Sequence, residues 1–75
     1  MQAYILIALK GCDEYEVLSN VRQLPEVTEA NVLFGEWDII AKVKTENPDS
    51  LATFMMDKIR KMPEVKLSST LIVAK

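Results

Sequence analysis

Two copies of one phrase set the first constraint on this chain. Val21–Val27 reads VRQLPEV and Ile59–Val65 reads IRKMPEV, with Pro63 standing 38 residues after Pro25. Proline lacks the N–H that a helix interior needs, and its ring clashes with the preceding turn. Each copy therefore ends a helix, and Val27 and Val65 each open the strand that follows. Arg22, Lys58, Arg60 and Lys61 fall in or near the last helical turns, where cations favour the helix dipole. Glu26 lies in the first connection and Glu64 in the second.

The remaining elements fall into place around the phrase. Ala3–Leu9 (AYILIAL) is an unbroken apolar run, too short for a typical helix and ended by Lys10-Gly11. It predicts a strand buried on both faces. Asp13 is placed to cap a helix, with Glu16 at the capping-box position. Val17, Leu18, Val21 and Leu24 form its apolar stripe. The second strand is expected over Val27–Phe34, with Thr28, Ala30, Val32 and Phe34 on one face and Glu29, Asn31 and Leu33 on the other. Gly35-Glu36 predicts a tight turn in which glycine supplies a positive φ. The third strand runs from Trp37 to Lys44, with Ile39, Ala41 and Val43 sharing a face. Asn47 caps the second helix and Pro48 opens it. Leu51, Met55, Ile59 and Met62, with Phe54 beside them, form its stripe, and Val65–Ala74 is the last strand.

The order is βαββαβ, the second half repeating the first. This is an α+β chain of the ferredoxin-like, split βαβ type: one four-stranded antiparallel sheet with two helices on one face. Right-handed crossovers give the strand order 4-1-3-2. The first strand has no polar face: Tyr4, Leu6 and Ala8 are as apolar as Ala3, Ile5, Ile7 and Leu9. Helices cover one side only, so a second subunit, sheet against sheet, is expected on the other.

Size points the same way. The 75 residues make one domain, residues 1–75, and a chain this short buries only roughly 60% of its unfolded surface. A single cysteine, Cys12, excludes an internal disulfide, and the absence of histidine removes the usual zinc constellations. Self-association remains as support, and 49% hydrophobic content leaves apolar surface for it. The net charge of -2 comes without a basic run, so phosphate-backbone binding lacks its electrostatic basis. No apolar run approaches a membrane span and no signal segment is evident. One free thiol fits a reducing compartment, and a cytoplasmic location is expected.

Catalytic chemistry finds few candidates. Cys12 has no histidine to activate it and reads as an incidental thiol. Asp13, Glu14 and Glu16 suit helix capping rather than a metal site. Met55, Met56, Met62 and Phe54 suit a core helix face rather than a soft-ligand site. Lys42 and Lys44 suit a solvated strand face or edge. Gly11 and Gly35 are the only glycines, so no phosphate-cradling loop exists. No cofactor is implied. Phe34-Gly35-Glu36-Trp37-Asp38 is different: backbone donors, an aromatic ring and a carboxylate meet where a central strand begins. Those groups suit a zwitterion such as an amino acid, although a packed tryptophan with an Asx-type bond would show the same pattern. Ser68 and Thr70 share a face of the last strand and could add hydroxyls, or serve as ordinary edge residues.

These residues, in this order, resemble the effector domain of the Lrp/AsnC (leucine-responsive, feast/famine) transcription regulators, also called the RAM domain. The resemblance spans essentially the whole chain. It rests on Leu24-Pro25-Glu26-Val27, Gly35-Glu36-Trp37-Asp38, and Met62-Pro63-Glu64-Val65 followed by Ser68-Ser69-Thr70-Leu71-Ile72-Val73. The resemblance implies the same βαββαβ fold, dimers with facing sheets, rings of dimers, and free amino acids bound between dimers. By position it implicates Gly35, Glu36, Trp37, Asp38, Ser68 and Thr70 in ligand binding. The chain departs from the pattern at Glu64, where glycine is frequent, and at Ser68, where threonine is frequent. It also starts at the first strand, without the family's helix-turn-helix, so direct nucleic-acid binding is not implied. The expected function is a non-enzymatic effector-binding module, with co-assembly with full-length regulators as one role. A small dimeric α+β barrel enzyme using Asp38, Tyr4 or Tyr15, and a ligand-free adaptor, are the alternatives.

Overall fold

A computed structural model describes residues 1–11 and 13–75. The expectation for Cys12 lies outside the described residues. The chain runs β1 (Gln2–Leu9), α1 (Glu14–Arg22), β2 (Val27–Val32), β3 (Ile39–Lys44), α2 (Pro48–Phe54), a π-helical turn (Met55–Ile59) and β4 (Val65–Ile72). The four strands form one sheet in the order β2-β3-β1-β4, which is 4-1-3-2 read from the other edge. Every neighbouring pair is antiparallel.

Caps form where the sequence places them. Asp13 accepts hydrogen bonds from the Tyr15 and Glu16 amides at 3.0 and 3.4 Å. Asn47 accepts from the Ser50 amide at 2.8 Å, with Pro48 in the first turn. Each cap satisfies donors that a helix start leaves orphaned, worth about 1 kcal/mol.

The core is one sheet face and the helix stripes laid on it. Ala3, Ile5, Ile7, Ala30, Ile39, Ala41 and Val43 are buried from the sheet, against Val17, Leu18 and Val21 of α1 and Leu51, Phe54, Met55 and Ile59 of the second helical segment. Ile5, Ile7, Ile39 and Ile59 are wholly inaccessible. Among the described residues the buried set is entirely apolar. The second face of β1 is only half covered at Tyr4, Leu6 and Ala8.

The repeated phrase produces repeated hydrogen bonds. The Leu24 amide donates to Val21 O and the Met62 amide to Ile59 O. The Val27 amide donates to Leu24 O at 3.0 Å, and the Val65 amide to Met62 O at 3.1 Å. Each is a four-residue turn with proline in second position, where its fixed φ is already correct. The halves also fasten each other. Glu26 O accepts from the Lys44 amide, and Glu64 O accepts from the Lys10 amide, both at 2.9 Å.

Three details depart from the sequence expectation. The second helix is not α-helical throughout: the Arg60 amide donates to Met55 O at 2.8 Å, one residue wider than an α-helical bond. The stripe Leu51, Met55, Ile59 recurs every four residues, more than the about 3.6 of an α-helix. The wide turn compensates for that drift and keeps Ile59 in the core. In β2, the register shifts between Val27 and Glu29. Thr28 is left unpaired as a bulge and exposed, so Val27 rather than Thr28 packs on the core side with Ala30. Strands β2 and β4 stop at Val32 and Ile72, β3 begins at Ile39, and Phe34 is fully exposed instead of sharing the core face.

Ile59→Ala removes a wholly buried side chain whose position depends on the π-helical turn. The expected loss is about 2–5 kcal/mol, a large share of what so small a domain holds. A urea melt of the variant against the parent checks it.

Candidate functional site

Gly35 to Asp38 lie in the connection 33–38 between β2 and β3, which is longer than the tight turn expected at Gly35-Glu36 because the closing bond runs from Leu33 to Asp38. The Leu33 amide donates to Asp38 O at 2.8 Å and closes the loop. Gly35 has φ 137°, a conformation that L side chains rarely adopt. Gly35 and Glu36 are exposed at the tip, while Trp37 and Asp38 are half-buried at its base. Backbone geometry thus fixes the turn from both ends and leaves its tip open to solvent.

Asp38 is bound more tightly than its residue type foretold. Its amide donates to Ile7 O at 2.8 Å. Its carboxylate Oδ2 accepts from the Leu9 amide at 2.7 Å. The side chain therefore completes the end of the β1–β3 ladder where the backbone pairing stops at Ile7 and Ile39. A charged acceptor on a backbone N–H is among the stronger protein hydrogen bonds. One carboxylate oxygen is committed to the fold.

Ser68 and Thr70 lie on the far side of β1. Ser68 pairs with Ile7 and Thr70 with Ile5. Ile39, next to Asp38, also pairs with Ile7. The Ile39 and Ser68 backbones are thus two inter-strand spacings apart, roughly 10 Å. The turn and the hydroxyls share one end of the sheet, but a central strand separates them. Ser68 is half-buried, whereas Thr70 is exposed. Ser68 lines a cavity of about 230 Å³ with Arg60, Val65, Lys66 and Leu67. Arg60, which the sequence marks only as a cation near the last helical turn, thus stands beside Ser68.

Two further surfaces have a definite chemistry. On the open sheet face, Tyr4, Glu29, Asn31, Ile40 and Lys42 line a shallow cavity of about 180 Å³. Lys42 is cross-strand from Tyr4, its ammonium 5.8 Å from the ring centroid. Near the first proline turn, Glu26 and Lys58 pair at 3.5 Å. With both side chains about a third exposed, the pair contributes no more than about 1 kcal/mol.

The Asp38 hydrogen bond generates a stability prediction. Asp38→Ala should cost about 1–2 kcal/mol, or several degrees in Tm for a domain of this size. Asp38→Asn keeps an oxygen acceptor for the Leu9 amide and should recover at least half of the loss. Thermal melts of the two variants, with hydrogen exchange at Leu9, check both.

Comparison with known proteins places this geometry. A family model described as the Lrp/AsnC ligand binding domain matches residues 2–75. The HTH-type transcriptional regulator FL11 of Pyrococcus horikoshii is 36% identical over 75 residues, which is 100% of this chain and 49% of that protein. The chain thus spans about half the length of the curated relatives it matches. The crystal structure of FFRP-DM1 superposes with a TM-score of 0.91 at 43% identity, over 96% of both chains. A Neisseria meningitidis transcriptional regulator, NMB0573, solved as its L-Met complex, shares the fold with a TM-score of 0.87 at 22% identity, over 99% of this chain and 49% of that one. Together with the βαββαβ topology and the proline turns that build it, these matches show that the chain belongs to the Lrp/AsnC ligand-binding domain family.

Proposed function

We propose that this chain is an oligomeric regulatory module that binds a free amino acid or similar small effector. In this reading it modulates Lrp/AsnC-type transcription regulators by co-assembly and works in the cytoplasm. The observation that carries the proposal is the match to a ligand-binding family over residues 2–75, with the Gly35–Asp38 turn and Ser68 at one end of the sheet. The L-Met complex of the Neisseria relative supports an amino acid as the ligand class. Gly35, Glu36, Trp37, Asp38, Ser68 and Thr70 are the proposed contacts. Asp38 Oδ1 is the carboxylate oxygen left to meet a ligand ammonium, Oδ2 already accepting from the Leu9 amide.

A second copy is part of the proposal. Tyr4, Leu6, Ala8 and Ile40 are half covered, and Leu67 and Leu71, which pair with Ala8 and Tyr4, extend the same face. Packing two such faces would bury this apolar area, at about 25 cal/mol per Å². Assembly into rings of dimers would then let separate chains supply the turn and the hydroxyls to one site.

Binding is favoured over catalysis for a specific reason. The interior between helices and sheet is solidly apolar among the described residues. A barrel-type enzyme would place its acid or base there. The relatives are transcription regulators.

A thermal-shift screen with each of the twenty amino acids tests the effector role. A bound effector should raise Tm, by the equivalent of about 2.7 kcal/mol at a hundred-fold excess over Kd. No shift with any amino acid at millimolar concentration, with the oligomer intact, would overturn it. Light scattering should return at least a dimer at micromolar concentration; a monomer contradicts the paired-sheet arrangement.

A further inference from the structure

The two halves of the chain build the same groove twice, and in the first the arginine is tied to the backbone. Arg22, Val27, Thr28, Glu29 and Ala30, with Asn31, line a cavity beside β2. Arg60, Val65, Lys66, Leu67 and Ser68 line the cavity of about 230 Å³ beside β4. Each residue of the second set stands one repeat length, that from Pro25 to Pro63, after its counterpart in the first. Even the bulges correspond. Thr28 is skipped in the β2–β3 register, and Lys66 is skipped in the β1–β4 register.

In the first groove the arginine and the bulged threonine are engaged by the fold. Arg22 donates from Nε and Nη2 to Ala30 O at 3.0 and 2.7 Å. The bulged Thr28 donates its hydroxyl to Lys42 O at 3.1 Å. In the second groove each of these features changes. Lys66 replaces Thr28, Leu67 replaces Glu29, and Ser68 replaces Ala30. Among the described residues, neither the Arg60 guanidinium nor the Lys66 ammonium takes part in a hydrogen bond or ion pair. The first lining holds one cation and one carboxylate; the second holds two cations, a hydroxyl and no carboxylate, in a chain of net charge -2.

We propose that the groove between Arg60, Lys66 and Ser68 is a carboxylate site that receives the α-carboxylate of the effector. Guanidinium presents a planar fork of donors that matches a carboxylate with two parallel bonds. In the first half that fork is closed on a backbone carbonyl; in the second it is free to take an external anion. Ser68 supplies a hydroxyl that Ala30 cannot, and Lys66 a point charge. The assignment rests on the effector-binding role above and complements it: with Asp38 partly committed to Leu9, the carboxylate end of a zwitterion has the stronger anchor.

Two measurements on the whole chain test it. In the first, chloride is exchanged for acetate at constant ionic strength while the arginine Nε–H resonances are followed by NMR. Arg60 should shift and Arg22, already bound to Ala30 O, should not. An unmoved Arg60, or equal shifts at both, would overturn the site. In the second, an amino acid that raises Tm is titrated into Arg60→Gln and into the double variant Lys66→Thr/Ser68→Ala, which copies the first groove. Affinity should fall about ten-fold or more in each, and the amidated form of the same amino acid should bind the parent equally weakly. Undiminished binding by Arg60→Gln overturns the proposal. Acetate shifts confined to Arg60 with no response to any amino acid would instead uphold the carboxylate site and remove the amino-acid role.

Discussion

Burial of β1 against the helix stripes sets the frame for the whole sheet. Ile5 and Ile7 are wholly inaccessible, and β1 holds both β3 and β4 in register. With no internal disulfide possible, this small core provides most of the driving force. Groups on both sides of the candidate site hang from that strand. Asp38 is tied to Ile7 and Leu9, Ser68 is aligned with Ile7, and Glu64 is fastened to Lys10. A shift of β1 by one residue would turn its core face outward and separate all three.

The internal repeat is a device for making two equivalent edges from one pattern. Proline turns with matching hydrogen bonds launch β2 and β4, and matching bulges follow at Thr28 and Lys66. A bulge leaves one residue without a ladder partner and re-aims its side chain. In β2 that residue closes a bond within the fold; in β4 it carries a charge. Duplicated geometry with unlike side chains leaves one arginine tied to the backbone and the other, among the described residues, without such a bond.

Much of the fold was legible because its signals are local. Asp13 and Asn47 announce their caps, Pro25 and Pro63 their turns, and the alternation of Ile39, Ala41 and Val43 its buried face. What escaped was set by distant contacts. Nothing adjacent to Thr28 marks it as a bulge, because the bulge is defined by the register with Lys42 and Val43. The π-helical turn at Met55–Ile59 follows from the need to keep Ile59 in the core. Phe34 continues the apolar alternation of β2, yet the strand stops before it because the closing bond runs from Leu33 to Asp38.

The candidate site divides along the same line. The βαββαβ order, the positive-φ turn at Gly35, and the residue types gathered at Gly35–Asp38, Ser68 and Thr70 can be read along the chain, because each depends on short-range sterics or on motif spacing. Long-range pairing is what lets Asp38 bind Leu9, sets β1 between the turn and the hydroxyls, and closes Arg22 on Ala30 O while Arg60 faces the equivalent groove without such a bond. Those outcomes depend on which strands become neighbours, and strand pairing is a property of the whole folded chain.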